Sequence, residues 1–289
     1  MAVYEQTYHG YRGALSGRRR RFLVVPRYAL ADVLRSRVFI VFYLLCLLPP
    51  FVGMILVYLR HNIGALRLFN LSFEQVSQRL PIGARFFDVG MERVGFLAFL
   101  VAIAVGPSLI SPDLRNNGLA LYLSRPFSRG EYVLGKMSAL ALVLSGITWV
   151  PGCLLFFLQA YLEGGTWFVD NLRVLGAVFA GSWLWIVALS VMVLTVSAWV
   201  KWRPVARIVL LILYFVPLAF AVLVRLATGT WWGGMVSVSE VIETVWAGLF
   251  GLAPPTAMPV AAAWTVLVAG TLLCTALLLR RVRAYEVVR

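Results

Sequence analysis

The sequence predicts an all-α integral membrane protein with six transmembrane helices, and three observations carry that prediction. The first is composition: 61% of the 289 residues are hydrophobic and 13% are charged, with a mean hydropathy of +0.87, well beyond the apolar share of a soluble domain. The second is a set of six apolar stretches, 38–59, 94–110, 137–162, 174–200, 208–224 and 257–279, none of which contains Asp, Glu, Lys, Arg or His. Each approaches the ~20 residues needed to cross a hydrocarbon layer roughly 30 Å thick. The third is the sidedness of charge. Of the 26 Lys and Arg, eight precede the first stretch, four lie at 111–136, three between the fourth and fifth stretches and four after the sixth. Positive residues are retained on the cytoplasmic side, so both termini and the second and fourth connections are expected there.

Two divisions of the chain follow, 1–37 as a cytoplasmic basic arm with an interfacial helix and 38–289 as a single six-span domain. The arm carries the run Arg18 to Arg21 among Gly, Tyr and Ser, suited to anionic lipid headgroups. From Pro26, the residues Ala29, Leu30, Val33 and Leu34 fall on one helical face, with Arg27, Asp32, Arg35 and Ser36 on the other. This amphipathic helix is expected to lie along the inner leaflet before the chain enters the bilayer. The first apolar stretch starts at position 38 and is too long for a cleaved signal segment, so it is expected to remain in the mature protein. Its 22 residues span about 33 Å at 1.5 Å per residue.

The first outer segment, 60–93, repeats apolar residues at helical spacing in Leu66, Phe69, Phe73, Val76 and Leu80, ended by Pro81, and predicts a small helical cap. The segment between spans five and six is rich in aromatics and glycine. It is read either as a re-entrant segment that dips partway into the bilayer or as an ordinary interfacial helix, with Trp231, Trp232 and Trp246 suited to headgroup level. Within span four, Gly176, Ala177, Ala180 and Gly181 form two overlapping small-xxx-small pairs, which favour close packing inside one chain over a dimer seam. Cys46, Cys153 and Cys274 lie in three different spans without metal-ligand spacing and read as packing residues.

Most of the polar chemistry sits at 111–136. Ser111-Pro112-Asp113 reads as a helix start, Asn116-Asn117-Gly118 as a stop, Arg125-Pro126 as an extended turn, and Ser128-x-x-Glu131 as a capping box opening the helix of span three. Exposed leucines at 119–123, Tyr122 and Phe127 beside arginines suggest a docking surface. The run from Gly130 to Met137 comes one residue short of a phosphate-binding G-x-x-x-x-G-K-[ST] loop. It lacks the hydroxyl that would hold magnesium, no strand precedes it, and the capping box makes it helical.

These residues resemble the permease subunits of ABC-2 type transporters, in which a segment after span two carries an Asp-x-Arg element, a leucine-rich patch, Ser-Arg-Pro-x-Ser-Arg and Tyr-x-x-Gly-Lys. The chain shows Asp113-Leu-Arg115, then Leu121 and Tyr122 within the apolar patch, Ser124-Arg125-Pro126-Phe-Ser128-Arg129, and Tyr132-x-x-Gly135-Lys136. The resemblance implies an exporter subunit of the bacterial inner membrane that docks on a separate ABC-type ATPase through Asp113, Arg115, Leu121, Tyr122, Arg125, Pro126, Ser128, Arg129, Glu131, Tyr132 and Lys136. It implies a second permease copy, identical or similar. ATP and magnesium belong on the partner, with no cofactor or metal bound by this chain and no catalytic residue in it.

Three other classes are weighed against that reading. An ion-coupled carrier needs ionisable groups in its spans, and the six stretches have none. An intramembrane enzyme needs a nucleophile, base or metal cluster; Glu240 and Glu243 share a helical face but read as solvated carboxylates. A nucleic-acid binder would gather its basic residues for phosphate, whereas here their placement follows topology, with lipid as the partner. A non-transporting membrane subunit of an ATP-driven force-transmitting complex stays open as the alternative.

Overall fold

The structure is a computed structural model, in which residues 24–62, 81–115 and 129–281 are described. Among these residues it is helical without strands. In chain order the helices are α1 (Val24–Leu34), α2 (Arg37–Cys46), α3 (Leu48–His61), α4 (Ala84–Arg115), α5 (Arg129–Ser145), α6 (Trp149–Glu163), α7 (Gly165–Asp170), α8 (Leu172–Trp199), α9 (Arg203–Thr228), α10 (Val238–Phe250) and α11 (Val260–Arg281). A 3₁₀ turn, Trp232–Val236, joins α9 to α10. Six helical runs are long and apolar enough to cross a membrane: Arg37–His61, Ala84–Ser111, Gly130–Glu163, Leu172–Trp199, Arg203–Thr228 and Val260–Arg281. Each predicted stretch overlaps one of them, with 174–200 running one residue past its helix and 257–279 beginning three residues before it. The basic arm through residue 23 and the predicted cap from Leu66 to Leu80 lie outside the described residues.

Two of the six runs are broken, which apolar content alone does not reveal. The first turns at Leu47, ahead of Pro49 and Pro50, whose missing N–H groups suit the opening turn of α3. The third breaks between Ser145 and Trp149, where the amides of Ile147 and Thr148 both bond to the Leu144 carbonyl. The Val143 carbonyl instead accepts the Tyr43 hydroxyl at 2.8 Å. A backbone acceptor released at one break is thus satisfied by a side chain from beside the other, as a lipid-embedded helix requires.

The core gathers on α8, which packs against α4, α5, α6, α9, α10 and α11. Because lipid is as apolar as leucine, close contact and backbone-directed hydrogen bonds hold such a bundle together. Glycine supplies the contact: a Cβ on Gly106 of α4 would collide with Val193 of α8, and one on Gly181 of α8 would lie 2.6 Å from Met91 and 2.9 Å from Trp246. Indoles supply the bonds. Trp185 Nε1 donates to Gly95 O at 2.9 Å, and Trp246 Nε1 to Gly181 O at 3.1 Å. Of the small residues in span four, Ala177 and Gly181 therefore face inward, whereas Gly176 and Ala180 lie on the exposed side of α8.

The helix α1 packs on α5, with Ala29, Leu30 and Val33 against the core and Arg27, Asp32 and Arg35 exposed. Its predicted apolar face ends one residue early, since Leu34 is exposed. Ser36 then caps α2, accepting the Phe39 amide at 3.3 Å.

The helix start expected at Ser111 is absent, because α4 continues through Ser111 to Arg115. The Ser111 hydroxyl does serve a helix end, but that of α8: it lies 3.0 Å from the Val200 carbonyl and 3.3 Å from that of Ser197. At its other end α4 begins at Ala84, ten residues before the predicted span, so Arg85, Asp88, Glu92 and Arg93 belong to the same helix.

Candidate functional site

Chemistry-bearing residues gather at both ends of the bundle. At the end holding the connection from α4 to α5, called the loop end below, Asp113 and Arg115 lie in the last turn of α4 and Arg129 opens α5. Leu121, Tyr122, Arg125, Pro126 and Ser128 fall outside the described residues. The helix beginning at Arg129 agrees with the capping-box position, and it carries the whole Gly130 to Lys136 run as helix.

The three remaining loop candidates divide. Glu131 is partly exposed, while Tyr132 is fully buried and Lys136 is 7% exposed. Lys136 Nζ sits 5.5 Å from the centroid of the Tyr132 ring, close enough for a cation–π contact. Residues at i and i+4 stack on one helical face, so this pair roots the first turns of α5 in the bundle. The other flank is also tied down. Besides the Ser111 contacts, Arg207 Nη2 of α9 donates to Ala104 O of α4 at 3.2 Å, and the Arg281 guanidinium of α11 lies 5.4 Å from the Trp199 ring. Both helices that enter the connection are therefore held against α8 and its neighbours.

The opposite, far end holds a charged cluster where α4, α9 and α10 meet. Arg85 donates to Asp88 at 2.8 Å and Arg225 to Glu240 at 2.6 Å; the two carboxylates are 1% and 5% exposed. Asp88 Oδ1 has no partner among the described residues. Glu243 lies one turn beyond Glu240. Burial, with the charges of Glu92, Glu240 and Asp88, pushes its carboxyl up to about 7, so it can hold an exchangeable proton near neutrality.

This cluster corrects two expectations. Glu240 is a buried ion-pair partner, not a solvated carboxylate, and the bundle does contain ionisable groups because α4 begins before the apolar run. The connection between α9 and α11 is likewise no plain surface loop. Its helix α10 packs against α4, α8, α9 and α11, and Trp246, expected at headgroup level, is 2% exposed against Gly95 and Gly181. Trp231 and Trp232 stack at 4.4 Å between ring centroids, with Trp232 exposed. The three cysteines are free thiols, and no cluster of three or more metal-binding side chains occurs among the described residues.

Beside the charged cluster a cavity of about 350 Å³ opens between α3, α4, α6 and α8. Leu56, Phe87, Leu155, Val178, Trp185 and Trp246 supply apolar wall, and Arg85 and Arg93 supply charge. The sequence pattern did not point to it: Arg85 and Arg93 read as residues of an outer loop, and only helical spacing continued back from position 94 could have placed them on the wall of the bundle. A volume at the low end of the few-hundred Å³ scale suits one small ligand.

Residues 27–279 match the family described as ABC-2 family transporter protein. No curated protein matches the chain.

Proposed function

This chain belongs to the ABC-2 transporter family, and from that premise we propose that it is the permease subunit of an ATP-driven exporter, coupled to a separate ATPase through the connection 111–136. The family match and the six membrane-crossing runs establish a multi-pass membrane component. The observation that supports coupling through this connection is the anchoring of both its flanks. A push delivered to a segment between two loosely held helices would be dissipated; here α4 is bonded to the C-terminal carbonyls of α8 through Ser111, and α5 is rooted by buried Tyr132 and Lys136. Load at the connection passes to the central helix.

Within this reading Asp113, Arg115, Leu121, Tyr122, Arg125, Pro126, Ser128, Arg129 and Glu131 form the docking face, with arginine suited to carboxylates or helix C-termini of the partner. Tyr132 and Lys136 hold that face in place from beneath. ATP and magnesium reside on the ATPase, and a second permease copy completes the pathway. The chain sits in a bacterial inner membrane with both termini in the cytoplasm, consistent with its basic loop-end segments.

The test is affinity purification of the tagged chain from its native membrane in mild detergent, with mass spectrometry and an ATP hydrolysis assay on the eluate. A co-eluting ATPase whose hydrolysis follows the complex is the expected result. A chain that elutes without one, before and after cross-linking, removes the ATP-driven reading.

A further inference from the structure

The cavity between α3, α4, α6 and α8 has a mostly apolar wall and a charge of one sign. Its indole N–H groups are already spent on backbone carbonyls, Trp185 on Gly95 and Trp246 on Gly181, so both tryptophans offer it only apolar surface. Thr148 Oγ1 is likewise committed, to Leu144 O at 2.8 Å. Two arginines line it and no carboxylate does. Asp88, the partner of Arg85, is 1% exposed and lies behind the wall; that bond uses one of the several N–H donors a guanidinium carries. Arg93 makes no ion pair among the described residues and is exposed.

Arg85 and Arg93 are eight residues apart on α4, or about 12 Å at the helical rise of 1.5 Å per residue, and the apolar wall faces the gap between them. Gly90 lies in that gap, and a Cβ there would meet nothing within 4 Å. By contrast, a Cβ on Gly152 across the cavity would already lie 2.8 Å from Val178. The open volume is thus on the arginine side.

We propose that this cavity binds an amphiphilic anion, a single carboxylate or phosphate group held by Arg85 or Arg93 on a compact alkyl or aryl body lodged against Phe87, Val178, Trp185 and Trp246. Charge complementarity selects the headgroup, since the wall holds two arginines and no carboxylate and only Arg85 has an ion-pair partner among the described residues, so a neutral amphiphile would leave Arg93 without a counter-charge. Volume selects the body, since about 350 Å³ admits one medium-length chain or ring system. The acid group could belong to a membrane lipid or to a solute in transit. The inference rests on the wall of this chain alone, and its test needs no ATPase, so its failure and that of the coupling reading are separate results.

The test uses the purified full-length chain in nanodiscs of phosphatidylcholine, labelled with medium-chain fatty acid bearing a terminal diazirine and mapped by mass spectrometry. Adducts are expected on α4 around Gly90 and on α8 around Val178 to Trp185. Gly90→Phe should abolish them, while Gly176→Phe, which adds the same bulk on the exposed side of α8, should not. Arg85→Gln with Arg93→Gln should cut labelling roughly tenfold, as for loss of a charge-assisted hydrogen bond. Adding phosphatidylglycerol assigns the source: competition marks a lipid headgroup, and none marks a free amphiphile. Should Gly90→Phe or the double glutamine variant fail to fold, the comparison of acid with alcohol on the wild-type chain still decides. The proposal is overturned if the diazirine alcohol of equal length labels these sites as well as the acid does, or if adducts persist unchanged in Gly90→Phe or in the double glutamine variant.

Discussion

Arg225 Nη2 donates to Glu240 Oε1 at 2.6 Å, tying the last turn of α9 to the first turn of α10. The turn between them approaches closely enough that a Cβ on Gly234 would lie 2.5 Å from the other Glu240 oxygen. Removing one member of such a pair leaves a buried charge without compensation, at a cost of about 3–5 kcal/mol. Arg225→Met is therefore expected to lower the Tm of the detergent-solubilised chain markedly, and adding Glu240→Gln to recover most of the loss. Equal Tm values for the single and double variants would show that the carboxylate finds another partner or water.

Glu243 predicts a pH dependence of the same region. Its carboxyl is raised from 4.5 to about 7 by burial first and then by Glu92, Glu240 and Asp88; Arg225 of α9 is engaged by Glu240. The folded state thus binds this proton more tightly than the unfolded chain. The group's favourable contribution is complete below pH about 4.5 and is lost as pH rises towards about 7. Thermal unfolding of the wild type and Glu243→Gln across that window should diverge, with the wild type losing Tm relative to the variant as pH rises. Parallel curves would place Glu243 in water.

How far the fold could be read from the sequence depended on which force set each feature. The six spans were legible because exclusion of charge from lipid writes itself as uninterrupted apolar runs. The start of α4 was not, because Arg85, Asp88, Glu92 and Arg93 look like loop residues until the burial of Asp88 is known, and the charges of Asp88 and Glu92 act on Glu243 of another helix. The breaks at Leu47 and Gly146 stayed hidden for a similar reason: Pro49, Pro50 and Gly146 permit a break, but the Tyr43 hydroxyl that makes one tolerable comes from a hundred residues away. Ser111 reads locally as the cap of a new helix start, whereas it lies inside α4 and its hydroxyl donates to carbonyls at the end of α8, which local pattern cannot see. Of the loop candidates, spacing gave the helix of Tyr132 and Lys136 but not its inward orientation.

The contact between α4 and α8 is expected to be intolerant of added volume. A Cβ on Gly106 would fall on Val193 Cγ1, a β-branched side chain with little rotamer freedom. Overpacking of this kind costs about 1–3 kcal/mol, so Gly106→Ala should lower Tm, and Val193→Ala in the same chain should restore part of it. If the double variant is no more stable than Gly106→Ala alone, the helices have moved apart and direct collision is not the cause.

The docking face makes the sharpest functional prediction, because its charge and its support can be altered separately. Arg125→Glu or Arg129→Glu reverses a charge at the proposed contact and leaves every buried residue of the bundle unsubstituted. Each should therefore lower co-purification of the ATPase while leaving membrane insertion and Tm at wild-type values. A charge-assisted contact turned repulsive is worth about 2–5 kcal/mol at a desolvated interface, enough to lose the complex on a column. Tyr132→Ala acts from beneath: removing a fully buried ring from α5 should cost about 3–5 kcal/mol by analogy with aromatic deletions in packed cores and reduce Tm and ATPase association together. The pattern distinguishes contact from support. Unchanged association in both arginine variants would take those side chains out of the interface and leave the rooted ends of α4 and α5 as structure only.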